Sequence, residues 1–319
     1  MGVEASWRPA ASLEVLRLRA ALVDQARRFF AERGVMEVDT PVLSASAASD
    51  VHIGSLQTRV SLASAKAFFL QTSPESAMKR LLAAGSGSIF QFARAFRDGE
   101  SGRLHNPEFL LLEWYRPGFD LSALMEEVAA LVAQLLSSNT AAKRLSYRDA
   151  FLKYAGIDPF TASVEEIGDA CRQLGFPGRL DDRNQGLDLL LARRVQPRLP
   201  PGCVFVYDYP ADQAALARIR AGDPPVAERF ELFVDGVELA NGYRELTDAQ
   251  EQRNRIEADL ARRRERGLPV VPEDRYLLDA LEHGLPECAG VALGFDRLVG
   301  LEAGIEDIRR VMTFPMDRA

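Results

Sequence analysis

The sequence predicts an α+β fold, an antiparallel β-sheet flanked by helices, and three observations lead there. Strand-like runs come in pairs joined by polar connections, Ile89 to Arg97 with Glu108 to Tyr115 and Arg229 to Val234 with Val237 to Ala240. Long segments of helical period surround those pairs, the order expected of an α+β chain rather than of a doubly wound one. No G-x-G-x-x-G or P-loop sequence occurs, so the parallel-sheet nucleotide folds find no support.

The elements follow in order. Leu13, Leu16, Ala20, Val23, Ala26 and Phe30 recur at three- and four-residue intervals between Ser12 and Arg33, which predicts an amphipathic helix stopped by Gly34. Val35 to Leu43 alternates like one strand, with Pro41 confining it to an edge or a bend. Ser73-Pro74-Glu75 opens a second helix, Ser73 as cap and Pro74 in the first helical position, and Gly85 closes it. From Asp120 to Arg198 the pattern is mostly helical, with a Ser163-x-x-Glu166 capping box and a stop at Gly175. Val204 to Tyr207 reads as a short buried strand, and Asp235-Gly236 as a type I′ hairpin turn. Thr247 with Gln250 caps a charged helix running to Gly267, and Gly290 to Arg297 is an apolar strand entering a helix capped by Asp296. One domain over residues 1–319 is expected, with a helical insertion at about 119–200.

Composition narrows the function. The 319 residues are 47% hydrophobic and 27% charged, which is globular usage and excludes a disordered chain. With 39 basic against 46 acidic residues the formal net charge is −7, so no general field draws in a polyanion. Arg262, Arg263, Arg264 and Arg266 form a local basic run whose helical spacing favours a solvated face. Cys171, Cys203 and Cys288 are odd in number and lack C-x-x-C spacing, so neither a disulfide framework nor a zinc site is expected, and a cytoplasmic location is. Met1 to Ala10, with Glu4, Arg8 and Pro9, lacks a leader's apolar core, and no run approaches the roughly 18 apolar residues of a membrane span.

The chemistry concentrates in two places. Between Phe92 and Tyr115 stand Arg94, Arg97, Glu100, Arg103, His105, Glu108 and Glu113, and period two puts Phe109, Leu111, Glu113 and Tyr115 on one face. An aromatic ring, a carboxylate and a phenol on one face suit a ligand with a planar base and a cationic end, or else an exposed face with ion pairs. Glu238 and Glu245 flank Asn241-Gly242; seven residues apart, they would take opposite faces of an uninterrupted strand, and an Asn-Gly turn would reset that parity. Two converging carboxylates suit Mg²⁺ or a ligand ammonium.

Taken in order, these segments resemble the three motifs of class II aminoacyl-tRNA synthetases. Gly34 to Leu43 is similar to motif 1, Phe96-Arg97 through His105-Asn106-Pro107-Glu108-Phe109 to Glu113-Trp114-Tyr115 to motif 2, and Gly290 to Arg297 to motif 3. The lysyl branch matches best, over nearly the whole chain, with Glu238-Leu239-Ala240-Asn241-Gly242 as a further shared run. Within it the chain resembles the EpmA family, lysyl-tRNA synthetase paralogues that activate (R)-β-lysine with ATP and transfer it to a lysine of elongation factor P. That resemblance implies a class II catalytic core with no N-terminal OB-fold, a homodimer formed through motif 1, elongation factor P as partner, and no tRNA or membrane. Two departures from the synthetase pattern favour this choice: Ser73-Pro74-Glu75 stands for Ala-Pro-Glu, and Ala292 for Gly.

The resemblance also implies roles. Arg97 and Arg297 are the catalytic arginines, on the α- and γ-phosphates. Asp98, Glu100, His105, Asn106, Phe109, Glu238, Leu239 and Gly294 complete the ATP site, with Phe109 stacking on adenine. Ser73, Pro74, Glu75, Glu113, Tyr115, Asn241, Glu245 and Ala292 hold the substrate: Glu113, Tyr115 and Glu245 take the ε-ammonium, and Glu75 the other amino group. Glu238 and Glu245 are the Mg²⁺ ligands. Motif 2 reads Arg97-Asp98-Gly99-Glu100 where synthetases read Arg-x-Glu, which puts the adenine-side glutamate contact in question. The competing readings are a lysyl-tRNA synthetase-like enzyme activating α-lysine and a synthetase-like regulatory subunit without catalysis.

Overall fold

The computed structural model describes residues 7–61, 67–137, 141–176, 178, 180 and 182–319; Glu4 of the N-terminal reading lies outside them. The chain divides into two compact units, the first made of 1–118, 134–137 and 247–319, the second of 119–133 and 138–246. The second is larger than a helical insertion at 119–200, because it includes the strands up to residue 244.

In the first unit the elements are α1 (Leu13–Ala31), β1 (Met36–Glu37), β2 (Leu43–Ser44), β3 (Gln57–Arg59), β4 (Ala67–Leu70), α2 (Glu75–Ala83), β5 (Ile89–Phe96), β6 (Glu108–Pro117), α7 (Ala249–Glu265), α8 (Arg275–Gly284), β12 (Cys288–Gly294) and α9 (Phe295–Ala303). The second holds α3 (Leu121–Leu135), β7 (Lys143–Ser146), α4 (Tyr147–Tyr154), α5 (Val164–Arg172), α6 (Arg183–Leu190), β8 (Cys203–Pro210), β9 (Ile219–Arg220), β10 (Val226–Val234) and β11 (Val237–Arg244). β6 pairs antiparallel with both β5 and β12, β1 adds to β5 in parallel, and β2, β4 and β3 form a small separate sheet.

The two faces of the β5–β6–β12 sheet differ. On one, Phe90, Phe92, Leu112, Trp114 and Leu293 meet α1 and α9: Phe30 stacks on Phe90 with ring centroids 4.5 Å apart and packs edge-on to Trp114, while Phe92 packs edge-on to Phe295. The other face carries Gln91, Ala93 and Ala95 from β5, Phe109, Leu111, Glu113 and Tyr115 from β6, and Gly290, Ala292 and Gly294 from β12. On this face β5 and β12 contribute mostly small residues, Ala93, Ala95, Gly290, Ala292 and Gly294, while β6 contributes the buried Glu113 carboxylate with Phe109, Leu111 and Tyr115.

Several local expectations change. The buried stripe of α1 is Val15, Leu22, Ala26, Phe29 and Phe30, and Leu13 is 65% exposed. Val35 to Leu43 is two short strands in different sheets rather than one, because Pro41 has no N–H to extend the ladder. α2 begins one residue past Pro74, so Ser73 is not its N-cap, although Ser73 Oγ still accepts from Glu75 N at 3.1 Å. α7 is capped by Asp248 instead of Thr247. In the arginine run Arg262, Arg264 and Arg266 are exposed, the solvated face expected of them, and Arg262 pairs with Asp259; Arg263 alone departs, buried and donating to Pro269 O and Asp50 O.

Asp296 does not cap α9; that position is Gly294. Its carboxylate accepts from Leu110 N at 2.7 Å and lies 2.6 Å from the guanidinium of Arg19, so it ties α1 to β6 beside Arg297. Both charges are well buried, and removing one partner strands the other. Asp296→Ala is therefore expected to cost about 3–5 kcal/mol, read as a lower urea midpoint at unchanged slope.

In the second unit β8, β10 and β11 form an antiparallel sheet, and β7 joins β8 in parallel, a strand the helical reading of Asp120 to Arg198 does not contain. Tyr147, Phe151, Ile167, Leu187, Leu190, Val206, Tyr209 and Phe233 make its core. The capping box at Ser163 and Glu166 forms as expected, and Asp235 and Gly236 both take positive φ in the β10–β11 turn, as a type I′ turn requires. Within this core the Arg229 guanidinium contacts Glu231 at 2.5 Å and lies over the Tyr209 ring, while burial pushes the Glu231 carboxyl up to about 7 despite that pairing.

Candidate active site

In the first unit the candidate site is built on the Glu113-bearing face of β5, β6 and β12. Glu113 stands at its centre, 1% exposed, opposite Gln91 on β5 and Ala292 on β12. Ser73 Oγ donates to one carboxylate oxygen and Tyr115 Oη to the other, each at 2.8 Å. Both of these donors are neutral hydroxyls, one to each carboxylate oxygen. Because Ser73 also accepts from Glu75 N, the start of α2 is fixed to this carboxylate. Glu75 itself is held by Lys79, whose Nζ lies 2.6 Å from Oε1.

At the other end of the hairpin, Arg97 lies with its guanidinium 5.0 Å from the Phe109 ring centre and 3.5 Å from Glu100. Its Nε is buried and makes no hydrogen bond among the described residues, a donor in want of an acceptor. The extra motif 2 residue, Gly99, has φ +79°, and the turn it makes brings Glu100 back beside Arg97. Asp98 contributes its backbone, donating to Gly54 O at 2.8 Å. Arg297 reaches His105 Nε2 at 3.0 Å, so these two cationic or polar groups share one spot. Asn106 is occupied structurally: its Nδ2 donates to Glu108 O and its Oδ1 accepts from Met316 N. Gly294, opposite Leu111, ends β12 just before Arg297.

In the second unit Glu238, Leu239 and Asn241 lie on β11, and Glu245 follows it. Asn241-Gly242 is no turn; both residues pair with β10 inside the strand. The parity is reset by a bulge: Glu238 pairs with Phe233 and Ala240 with Leu232, which leaves Leu239 as the extra residue. Glu231 and Phe233 share a face, so Asn241 and Glu238 do too, and alternation carries that face to Glu245, which bridges to Ala217. Glu245 is 1% exposed, and Asn241 Oδ1 is buried with no hydrogen-bond partner among the described residues. Among the described residues no group of three or more His, Cys, Asp and Glu side chains is placed to hold a metal. Each of these carboxylates is of the kind that holds Mg²⁺, an ion ordinarily bound by one or two carboxylates plus substrate phosphates and water.

The family model described as tRNA synthetases class II (D, K and N) matches residues 5–318. The chain belongs to that family. Among its relatives, proteins named elongation factor P--(R)-beta-lysine ligase from Yersinia enterocolitica and Pectobacterium carotovorum are each 48% identical over 326 residues, and one from Erwinia tasmaniensis is 49% identical over 325 residues, with 100% of both chains covered in every case. Membership accounts for the α+β core. Lys79 beside Glu75, Gln91 opposite Glu113, and Arg19 as the partner of Asp296 are not among the residues that the sequence singles out. Only Lys79 had a local signal, its i+4 spacing from Glu75.

Proposed function

We propose that this protein is a ligase that activates (R)-β-lysine with ATP as an enzyme-bound adenylate and transfers it to the ε-amino group of a lysine of elongation factor P. The observation that carries the reading is the buried Glu113 carboxylate, faced by Ser73, Tyr115 and Ala292, in a chain matched end to end by relatives named for this reaction. Arg97 binds the α-phosphate, and Arg297 with His105 the γ-phosphate, because a guanidinium donates in bidentate fashion and stays charged. Phe109 is the flat surface for adenine. Glu113 and Tyr115 take the substrate's ε-ammonium, Glu75 takes its 3-amino group, and Glu245 and Asn241 belong to the proposed substrate set.

The substrate carboxylate attacks the α-phosphorus, a new P–O bond forms and pyrophosphate leaves. The acceptor amine then attacks the acyl carbon, loses a proton and expels AMP, leaving an amide. No protein nucleophile is needed; alignment and charge neutralisation do the work. Glu238 and Glu245 would hold Mg²⁺, which when bound neutralises phosphate charge. The same reading has the protein working in the cytoplasm as a homodimer, supported by the exposed apolar side chains of Met36, Val42 and Leu43 on the motif 1 segment. No helix among the described residues is long and apolar enough to cross a membrane.

ATP–pyrophosphate exchange with (R)-β-lysine against α-lysine, followed by transfer to elongation factor P and to tRNA, tests the proposal. Exchange favouring (R)-β-lysine with labelling of the factor is expected; charging of tRNA without labelling of the factor overturns it. The Ala292 methyl stands across the ladder from Glu113 and takes the space of a substituent at the α-carbon. Ala292→Gly is expected to lower the preference for (R)-β-lysine over α-lysine about tenfold in kcat/KM.

A further inference from the structure

Lys79 is among the largest fully buried side chains of the protein, at 2% exposure, and it lies on the α2 stripe with Met78 and Leu82, which are packed against Ile89 and Tyr115. An ammonium on an apolar stripe is costly to desolvate, and an ion pair at such a place adds little that an apolar side chain would not. Its Nζ is 2.6 Å from Glu75 Oε1, and Glu75, with its side chain 22% exposed, sits in the first turn of α2, where Ser73 binds both the Glu75 amide and Glu113. A plain helix-stabilising i,i+4 pair would do its work equally well on the solvent side.

We propose that Lys79 is a positioning residue for substrate recognition: by holding Oε1 of Glu75 from beneath, it presents Oε2 to the substrate's 3-amino group. The inference rests on the reading of Glu75 as the acceptor of that group. Without Lys79 the Glu75 side chain is free to leave its rotamer, and the contribution of the 3-amino group is lost while ATP binding and ε-ammonium binding stay.

The test measures ATP–pyrophosphate exchange with (R)-3,6-diaminohexanoic acid and with 6-aminohexanoic acid, which lacks only the 3-amino group. The preference for the diamino acid is expected to fall about tenfold in Lys79→Met, the loss of one charge-assisted hydrogen bond, with KM for ATP unchanged. In a Glu75→Gln background, Lys79→Met is expected to change the preference no further. Equal loss with both acids, or a rise in KM for ATP, marks Lys79 as merely structural and overturns the inference. If Glu75→Gln leaves the preference intact, the reading of Glu75 fails; if Glu75→Gln lowers it and Lys79→Met does not, only the role of Lys79 fails. Should Lys79→Met not fold, Lys79→Gln is measured instead: a preserved neutral donor at that position is expected to retain an intermediate preference, and full wild-type preference overturns the inference.

Discussion

Arg97→Ala is expected to lower ATP–pyrophosphate exchange by about three orders of magnitude, the scale of removing a preorganised donor to developing charge. The guanidinium is poised for this. Its Nε is buried without a hydrogen-bond partner among the described residues, its NH1 touches Glu100 at only 3.5 Å, and its plane lies near Phe109. None of these contacts holds the fold together, so thermal unfolding of the variant should stay close to that of the wild type. Arg97→Lys should recover little, since an ammonium cannot reproduce the planar fork. Normal exchange in Arg97→Ala would show that the nucleotide binds elsewhere.

The β5–β6 hairpin that carries Arg97 was legible because alternation over eight or more residues, interrupted by a polar link, admits few other structures. The face of β6 bearing Glu113 followed from that alternation alone. Where the reading failed, the deciding physics lay across the chain. The Leu239 bulge depends on how β11 pairs with β10, which no local dipeptide encodes, so the parity of Glu238 and Glu245 is reset there and not at an Asn241-Gly242 turn. α1 has apolar residues on more than one side, and only the aromatic contacts of Phe30 with Phe90 and Trp114 select the buried stripe. Asp296 has the local character of a cap, yet Arg19 and the Leu110 amide, both far away in sequence, claim its carboxylate. β7 is short and pairs in parallel with a strand some sixty residues later, beyond any pattern visible within a helical stretch. The motif residues were legible as a set only through their resemblance to a family; composition left Glu113 and Glu238 indistinguishable from surface carboxylates.

Glu113→Gln separates the charge of the site from its shape. The amide fills the same volume between Gln91 and Ala292, so packing on β6 persists and the variant should unfold near the wild-type temperature. What changes is recognition. The carboxylate accepts Ser73 Oγ on one oxygen and Tyr115 Oη on the other, and in the proposed function it is the group that an incoming ammonium meets. Removing one partner of a buried, hydrogen-bonded charge pair costs about 2–5 kcal/mol in binding, so KM for (R)-β-lysine is expected to rise by about two orders of magnitude or more. KM for ATP should move little, because Arg97 and Phe109 stand toward the far end of the hairpin from Glu113. The amide nitrogen also cannot accept, so one of the two hydroxyls must turn away, and Tyr115→Phe in the Glu113→Gln background should then cost less than it does alone. A large rise in KM for ATP with amino-acid binding unchanged would place Glu113 in the nucleotide site and undo the assignment of this face to the diamino acid.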